Sequence, residues 1–118
     1  MKFVHIADLH MDSPFAFLDS KTGLGDVRRL EQRQALKKVV QYVKENNIEY
    51  LFISGDLYEQ EYIKESTIKY IDDQFRIIPD TKIFISPGNH DPYLNNSYYN
   101  TYSWSDNVHI FSRRFCIV

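Results

Sequence analysis

Apolar positions follow two alternating rhythms along this chain. Short, nearly continuous apolar runs occupy residues 2–7, 50–54 and 82–86. Between them, apolar residues recur at helical spacing: first Val27, Leu30, Leu36, Val39, Val40 and Val43, then Ile63, Tyr70, Ile71 and Phe75. Runs without alternation predict strands covered on both faces. The stripes predict helices that bury one side, with Arg and Lys on the other face of the first. Asp26 is the expected N-cap of that first helix. Asn46-Asn47 suits its end, because Asn tolerates the left-handed conformation. The second helix is expected over residues 62–77, closed by Pro79-Asp80. Two more strands are expected at 108–111 and 115–118. Residues 13–24, with Ser13-Pro14 and the Gly23/Gly25 pair, read as a loop. Residues 92–106 read as a polar, aromatic segment.

The resulting order, β-α-β-α-β-loop-β-β, predicts an α/β fold whose β-α-β-α-β core forms a mostly parallel sheet with right-handed crossovers. The 118 residues suffice for one domain. Ligands of such sheets collect beyond the carboxyl ends of the strands. Three segments should therefore meet there: Asp8-Leu9-His10, Gly55-Asp56 and Gly88-Asn89-His90-Asp91.

Composition narrows the setting. Apolar residues make up 43% and charged residues 25%, as in ordinary soluble domains. A net charge of -2 gives no global basic field. Locally, residues 21–44 carry seven Lys and Arg against two acids, and residues 45–80 three against nine. This reads as two solvated helix faces or as a basic rim beside an acidic one. The single cysteine, Cys116, excludes an internal disulfide. The first apolar run is broken by His5 and Asp8, unlike a signal peptide. No run reaches the length of a membrane span. A cytoplasmic setting without membrane contact is the expectation.

The chemistry gathers at the strand ends. One strand ending in Asp would be an ordinary turn. Here three successive ends carry Asp8 and His10, Asp56, and Asn89 and His90. Converging carboxylates would repel unless a divalent cation lay between them. Carboxylate, amide oxygen and imidazole suit Mn²⁺, Fe²⁺ or Zn²⁺, and the lack of thiolates argues against a structural zinc site. Asp56, on the middle segment, could bridge two metals, and two metals roughly 3.5–4 Å apart form a clamp for phosphoryl chemistry. Gly55 and Gly88 permit the sharp turns out of the strands.

In combination, "DLH" (8–10), "GD" (55–56) and "GNHD" (88–91) resemble the calcineurin-like metallophosphoesterase superfamily, over essentially the whole chain. "HIADLHMDSPF", "LFISGDLYE" and "FISPGNHDPY" are most similar to its SbcD/YhaO-like DNA repair exonuclease branch. The resemblance implies the first half of an αββα sandwich. It implies two divalent metal ions, usually manganese. Asp8 and His10 would bind the first, Asp56 would bridge the two, and Asn89 would bind the second. His90 would stabilise or protonate the leaving oxygen, and Asp91 would orient or charge-couple His90. The reaction would be metal-dependent phosphodiester hydrolysis, with DNA as substrate. Partners would be DNA ends, a second copy of the chain, and an SbcC-like ATPase docking on a C-terminal region beyond this sequence. Independently, a histidine near neutral pH suits a general acid, and a neighbouring carboxylate favours its protonated form.

The superfamily pattern continues with a lone His on a later strand and a Gly-His-x-His segment, which supply the remaining ligands. Neither follows His90 here; His109 reads as structural. Residues 1–118 are thus expected to be the N-terminal part of a metallophosphoesterase domain, with weakened metal binding, doubtful activity and an uncovered apolar sheet face that promotes self-association. The alternatives are a metallophosphoesterase for a phosphoprotein or nucleotide, and a non-catalytic binding module of the same fold. Elsewhere, His5 reads as a satisfied core histidine and Asp12 as an outer-shell or capping residue. Ser54 and Ser86 read as packing residues. Residues 93–104 could stack bases, cap the site or join a dimer contact. The basic helix of residues 28–38 could touch DNA phosphates or simply be solvated.

Overall fold

Four short strands run side by side in chain order: β1 Phe3–Ile6, β2 Tyr50–Ser54, β3 Lys82–Ser86 and β4 Val108–Ile110. They belong to a computed structural model that describes residues 1–12 and 24–112, with the side chains of 24–26 left aside. All three pairings are parallel, with Ile6 beside Ile53, Ile53 beside Ile85 and Ile85 beside Ile110. Helix α1, Leu24–Glu45, links β1 to β2, and helix α2, Glu65–Arg76, links β2 to β3. A third, four-residue helix, α3 Tyr98–Thr101, precedes β4. The expected order of elements and the parallel sheet are thus present. The Ser13-Pro14 turn, most of the glycine-marked loop, Cys116 and the strand at 115–118 lie outside the described residues.

Both long helices cover the same side of the sheet. Leu36, Val40 and Val43 of α1 and Ile68, Ile71 and Phe75 of α2 join Leu51, Ile53, Ile83 and Ile85 in one buried cluster. Sequential βαβ units that advance in one direction put every crossover on one face, because each crossover is right-handed. The expectation of strands covered on both sides is corrected accordingly. Among the described residues, the other face carries Phe3, Tyr50, Phe52, Phe84 and Phe111, whose rings stack or meet edge to face across the strands. His5 lies on this face too. It is exposed rather than buried in the core, and its Nε2 meets Ser54 Oγ at 2.7 Å. Ser54 and Ser86 are likewise exposed. His109 is half-buried and packs edge-on against Phe84 and Phe111.

The helix ends also differ from expectation for physical reasons. Helix α1 begins at Leu24, so Asp26 lies inside it. A 22-residue helix is about 33 Å long, whereas a five-residue strand spans about 17 Å. The N-terminal turns of α1 therefore overhang the sheet, and Val27 and Leu30 are about half exposed instead of buried. At the other end Asn47 takes φ +51°, the left-handed stop expected there. Helix α2 starts at Glu65, not 62, because Asp12 accepts the N–H of its N-cap Lys64 at 3.0 Å. Asp12 is thus a capping residue, supplied from 52 positions away. No described helix is long and apolar enough to cross a membrane.

Candidate metal centre

The segment after β1 has an unusual backbone. Asp8, His10 and Asp12 take φ of +58°, +50° and +61°. Each such residue costs about 1–2 kcal/mol over the ordinary conformation, so neighbours must hold it. They do. The N–H groups of His10 and Met11 donate to the carbonyls of Asp56 and Leu57 at 2.8 and 2.9 Å. Glu59 N–H returns to Met11 O at 3.0 Å, and Gln32 Nε2 of α1 donates to His10 O at 2.9 Å. Met11 is fully buried and anchors the loop in the core. The alternation leaves Asp8 exposed and His10 part-exposed at the carboxyl edge of the sheet.

The turn after β2 is built against the turn after β3. Gly55 takes φ +72° and Asp56 φ +53°. Gly88 approaches so closely that a Cβ there would lie 2.8 Å from Asp56 Oδ1 and 2.9 Å from Asp56 N. Glycine at 55 is therefore a conformational requirement, and at 88 a steric one.

These turns bring the expected ligands together. One ligand atom from each of Asp8, His10 and Asp56 lies within 4.8 Å of the others. His10 Nε2 is 3.9 Å from Asp8 Oδ1. Asp56 Oδ1 accepts the N–H of His90 at 3.0 Å, which ties the third strand end to the second. Asn89 is exposed beside His90 at the same edge. The imidazoles of His10 and His90 meet edge to face, with centroids 5.6 Å apart.

Glu59 was not anticipated by the sequence reading. Its two carboxylate oxygens serve the two imidazoles separately: Oε1 lies 3.2 Å from His10 Nδ1 and Oε2 3.1 Å from His90 Nδ1. This is the position that the sequence reading gave to Asp91. The Asp91 side chain does something else. It is fully buried and accepts N–H bonds from Asp56 at 2.9 Å, Leu57 at 2.8 Å and Gly88 at 2.6 Å, with the Tyr99 hydroxyl as a fourth donor. Asp91 thus holds two strand ends in register and does not face the His90 ring. Because four donors satisfy it, its burial is tolerated.

The aromatic stretch after Pro92 serves that carboxylate. Tyr99 is buried against Tyr58 and Trp104, and Trp104 Nε1 donates to Tyr98 O at 3.0 Å. Burial first, then the charge of Asp91, raises the Tyr99 hydroxyl well above its ordinary range, and the same two causes raise Tyr58. Both remain protonated at neutral pH, and Tyr99 stays a donor. Tyr99 is therefore a core residue rather than a base-stacking one, and Trp104, partly buried, packs against it.

The donor set fits a divalent cation. Two carboxylates and an imidazole converge, with one ligand atom of each within 4.8 Å of the others, and His10 presents Nε2 while Glu59 occupies Nδ1, the arrangement that orients a ligating histidine. On the α1 side, Arg28, Glu31 and Gln32 line a shallow hollow with Asp8.

Comparison with known proteins agrees with this geometry. Residues 1–116 match the model of the calcineurin-like phosphoesterase family. The chain is 26% identical over 115 residues to YhaO of Bacillus subtilis, named an uncharacterized metallophosphoesterase. That match covers 95% of this chain but 28% of the relative, so the chain spans well under a third of that protein's length. With the DLH, GD and GNHD segments gathered on one sheet edge, the chain belongs to the calcineurin-like phosphoesterase family.

Proposed function

We propose that the protein carrying this chain hydrolyses phosphate diesters with the help of divalent metal, in the manner of a DNA exonuclease of the SbcD/YhaO-like kind. The observation that carries the reading is the convergence of Asp8, His10 and Asp56 beside a histidine, His90, whose ring is set by Glu59. A cation bound there would supply positive charge against the phosphate and lower the cost of ionising a water.

The residues of the chain supply the rest. Asp8 and His10 would hold one ion, Asp56 would share it with a second, and Asn89 would lie on the second. Manganese suits this mixed oxygen and nitrogen set. Glu59 keeps the His90 ring fixed through Nδ1, which leaves Nε2 to stabilise the leaving oxygen or give it a proton. The Arg28 side of the site could receive a neighbouring phosphate of a nucleic acid strand.

The test has two parts. Calorimetry of Mn²⁺ binding compares this chain with Asp56→Asn, and binding abolished in the variant is the expected result. The full-length protein is then assayed on bis(p-nitrophenyl) phosphate, the p-nitrophenyl monoester and duplex DNA. Cleavage of the diester and of DNA ends is expected. Preference for the monoester would instead favour a phosphoprotein or nucleotide phosphatase.

A further inference from the structure

A second hollow adjoins the site on the side away from Arg28. It encloses about 600 Å³ and lies between the loop of residues 59–62 and that of residues 89–94. Glu59, Asn89 and His90 form its inner end, and Tyr62, Pro92 and Leu94 its outer wall. Tyr62 is 52% exposed and Leu94 46%, although both are large and apolar. No Lys or Arg is among the described residues that line it, whereas Glu61 is. Among the described residues, neither Tyr62 nor Leu94 belongs to the buried cluster or packs against it. The core is closed by Tyr58, Ile68 and Tyr99 without them.

His90 links this hollow to the chemistry. A group that stabilises or protonates the leaving oxygen must sit beside it, so the substituent on that oxygen departs on the His90 side. On this side Tyr62, Pro92 and Leu94 supply apolar surface, Gln60 and Asn89 are polar, and Glu59 and Glu61 make the nearby charge negative. An aromatic ring or other flat apolar body gains by covering Tyr62 and Leu94, and a further anionic group is repelled by Glu61. We infer that this hollow is the leaving-group subsite, shaped for an alcohol that carries a flat ring close to its leaving oxygen, as a nucleoside carries its base. The inference rests on the reading of the site as a phosphodiester hydrolase and deepens it. The ring of the leaving alcohol would lie on the Tyr62 side; the hollow on the α1 side holds Arg28 paired with Glu31 at 3.1 Å, together with Asp8.

The experiment uses the full-length protein with Mn²⁺ and three methyl aryl phosphates. Their aryl leaving groups, phenyl, 2-naphthyl and 4-carboxyphenyl, are of similar acidity. The expected order of kcat/KM is naphthyl over phenyl by about tenfold, the scale of one added apolar contact surface, with carboxyphenyl lowest. In Tyr62→Ala the naphthyl preference should collapse toward one, with Mn²⁺ binding retained as the check of folding. In Glu61→Gln the carboxyphenyl ester should gain on phenyl. Equal rates for phenyl and naphthyl, or a naphthyl preference untouched by Tyr62→Ala, would overturn the subsite and leave the hydrolase reading standing. If Mn²⁺ binds and no ester is cleaved, the hydrolase reading fails by itself. The subsite is then decided by binding: 2-naphthyl phosphate should bind about tenfold tighter than inorganic phosphate, and equal affinity would overturn it.

Discussion

The carboxylate of Asp91 accepts the backbone N–H of Asp56 at 2.9 Å, across 35 residues of chain. Through this bond a residue of the third strand end sets the position of Asp56, the proposed central ligand, on the second. The same carboxylate holds Leu57 and Gly88 and receives the Tyr99 hydroxyl. Asp91→Asn keeps the shape, but whichever oxygen becomes the amide NH₂ then faces at least one backbone N–H that can only donate. At least one buried donor then goes unpaired, and the charge-assisted bonds weaken. The expected loss of stability is about 3 kcal/mol, read from urea unfolding, together with weaker Mn²⁺ binding. A variant as stable as the parent would show that the strand ends hold their register without this carboxylate.

Gly88 makes a second, sharper prediction. Gly88→Ala would put a methyl 2.8 Å from Asp56 Oδ1 and 2.9 Å from the Asp56 nitrogen. The obstacle is a rigid turn and not a flexible chain end, so Asp56 must move. Overpacking of this kind costs about 1–3 kcal/mol. The expected signature is a modest drop in melting temperature with a disproportionate loss of Mn²⁺ affinity, because the displaced group is the carboxylate proposed to be shared between the ions. A Gly55→Ala variant should lose stability by another route, the positive φ at that residue.

Much of this was legible in the sequence. Alternating apolar runs and stripes place β1 to β3 and both long helices. The strand-end rule then brings Asp8, His10 and Asp56 to one edge, because parallel strands in chain order leave their carboxyl ends side by side. Less legible was anything decided by a side chain choosing between two neighbours. Asp91 follows His90 in the chain, so adjacency suggested that the two are coupled. In a turn, however, consecutive side chains diverge, and Asp91 points inward to unpaired N–H groups while His90 points out. Glu59 lies three residues past Asp56 and could have been suspected, since an acid there can reach the His10 loop that pairs with residues 56–58. The burial of Tyr99 was hidden for a similar reason: a polar aromatic stretch betrays nothing until its carboxylate partner is known. Val27, Leu30 and His5 misled because period alone does not say where a sheet ends or which face stays open.

The two buried tyrosines predict an alkaline limit. Tyr58 and Tyr99 both have raised hydroxyl pKa values, through burial first and the Asp91 charge second. In the unfolded chain they ionise near pH 10, while in the fold they keep their protons. Above that pH the unfolded state binds fewer protons than the native one, so stability falls as pH rises. Each tyrosine contributes a slope of about 1.4 kcal/mol per pH unit between its unfolded and folded values. The contribution is fully present below pH 10. Urea midpoints measured from pH 9 to 11 should therefore drop steeply, and Tyr58→Phe, which removes one of the two groups, should flatten the fall. An unchanged slope in that variant would mean that Tyr58 is not the group responsible.

Glu59 carries the last prediction, because one carboxylate is divided between two imidazoles to which different duties are proposed. Its bond to His10 Nδ1 holds the ring so that Nε2 faces Asp8, and its bond to His90 Nδ1 fixes the other ring. An outer carboxylate of this type commonly contributes ten- to a hundredfold in metal affinity. Glu59→Gln retains the volume but offers one acceptor and one donor in place of two acceptors, so it can orient only one of the two rings as before. Mn²⁺ affinity should fall by about ten- to a hundredfold, with a smaller effect on urea stability, since the mostly buried side chain keeps its volume and one acceptor. Glu59→Asp restores both acceptors on a shorter arm, too short to keep both bonds at their present lengths. If metal binding survives in Asp while the proposed diester hydrolysis by the protein carrying this chain does not, the arm has kept His10 and released His90. If both survive, the two rings are held by their own backbones, and Glu59 only follows them.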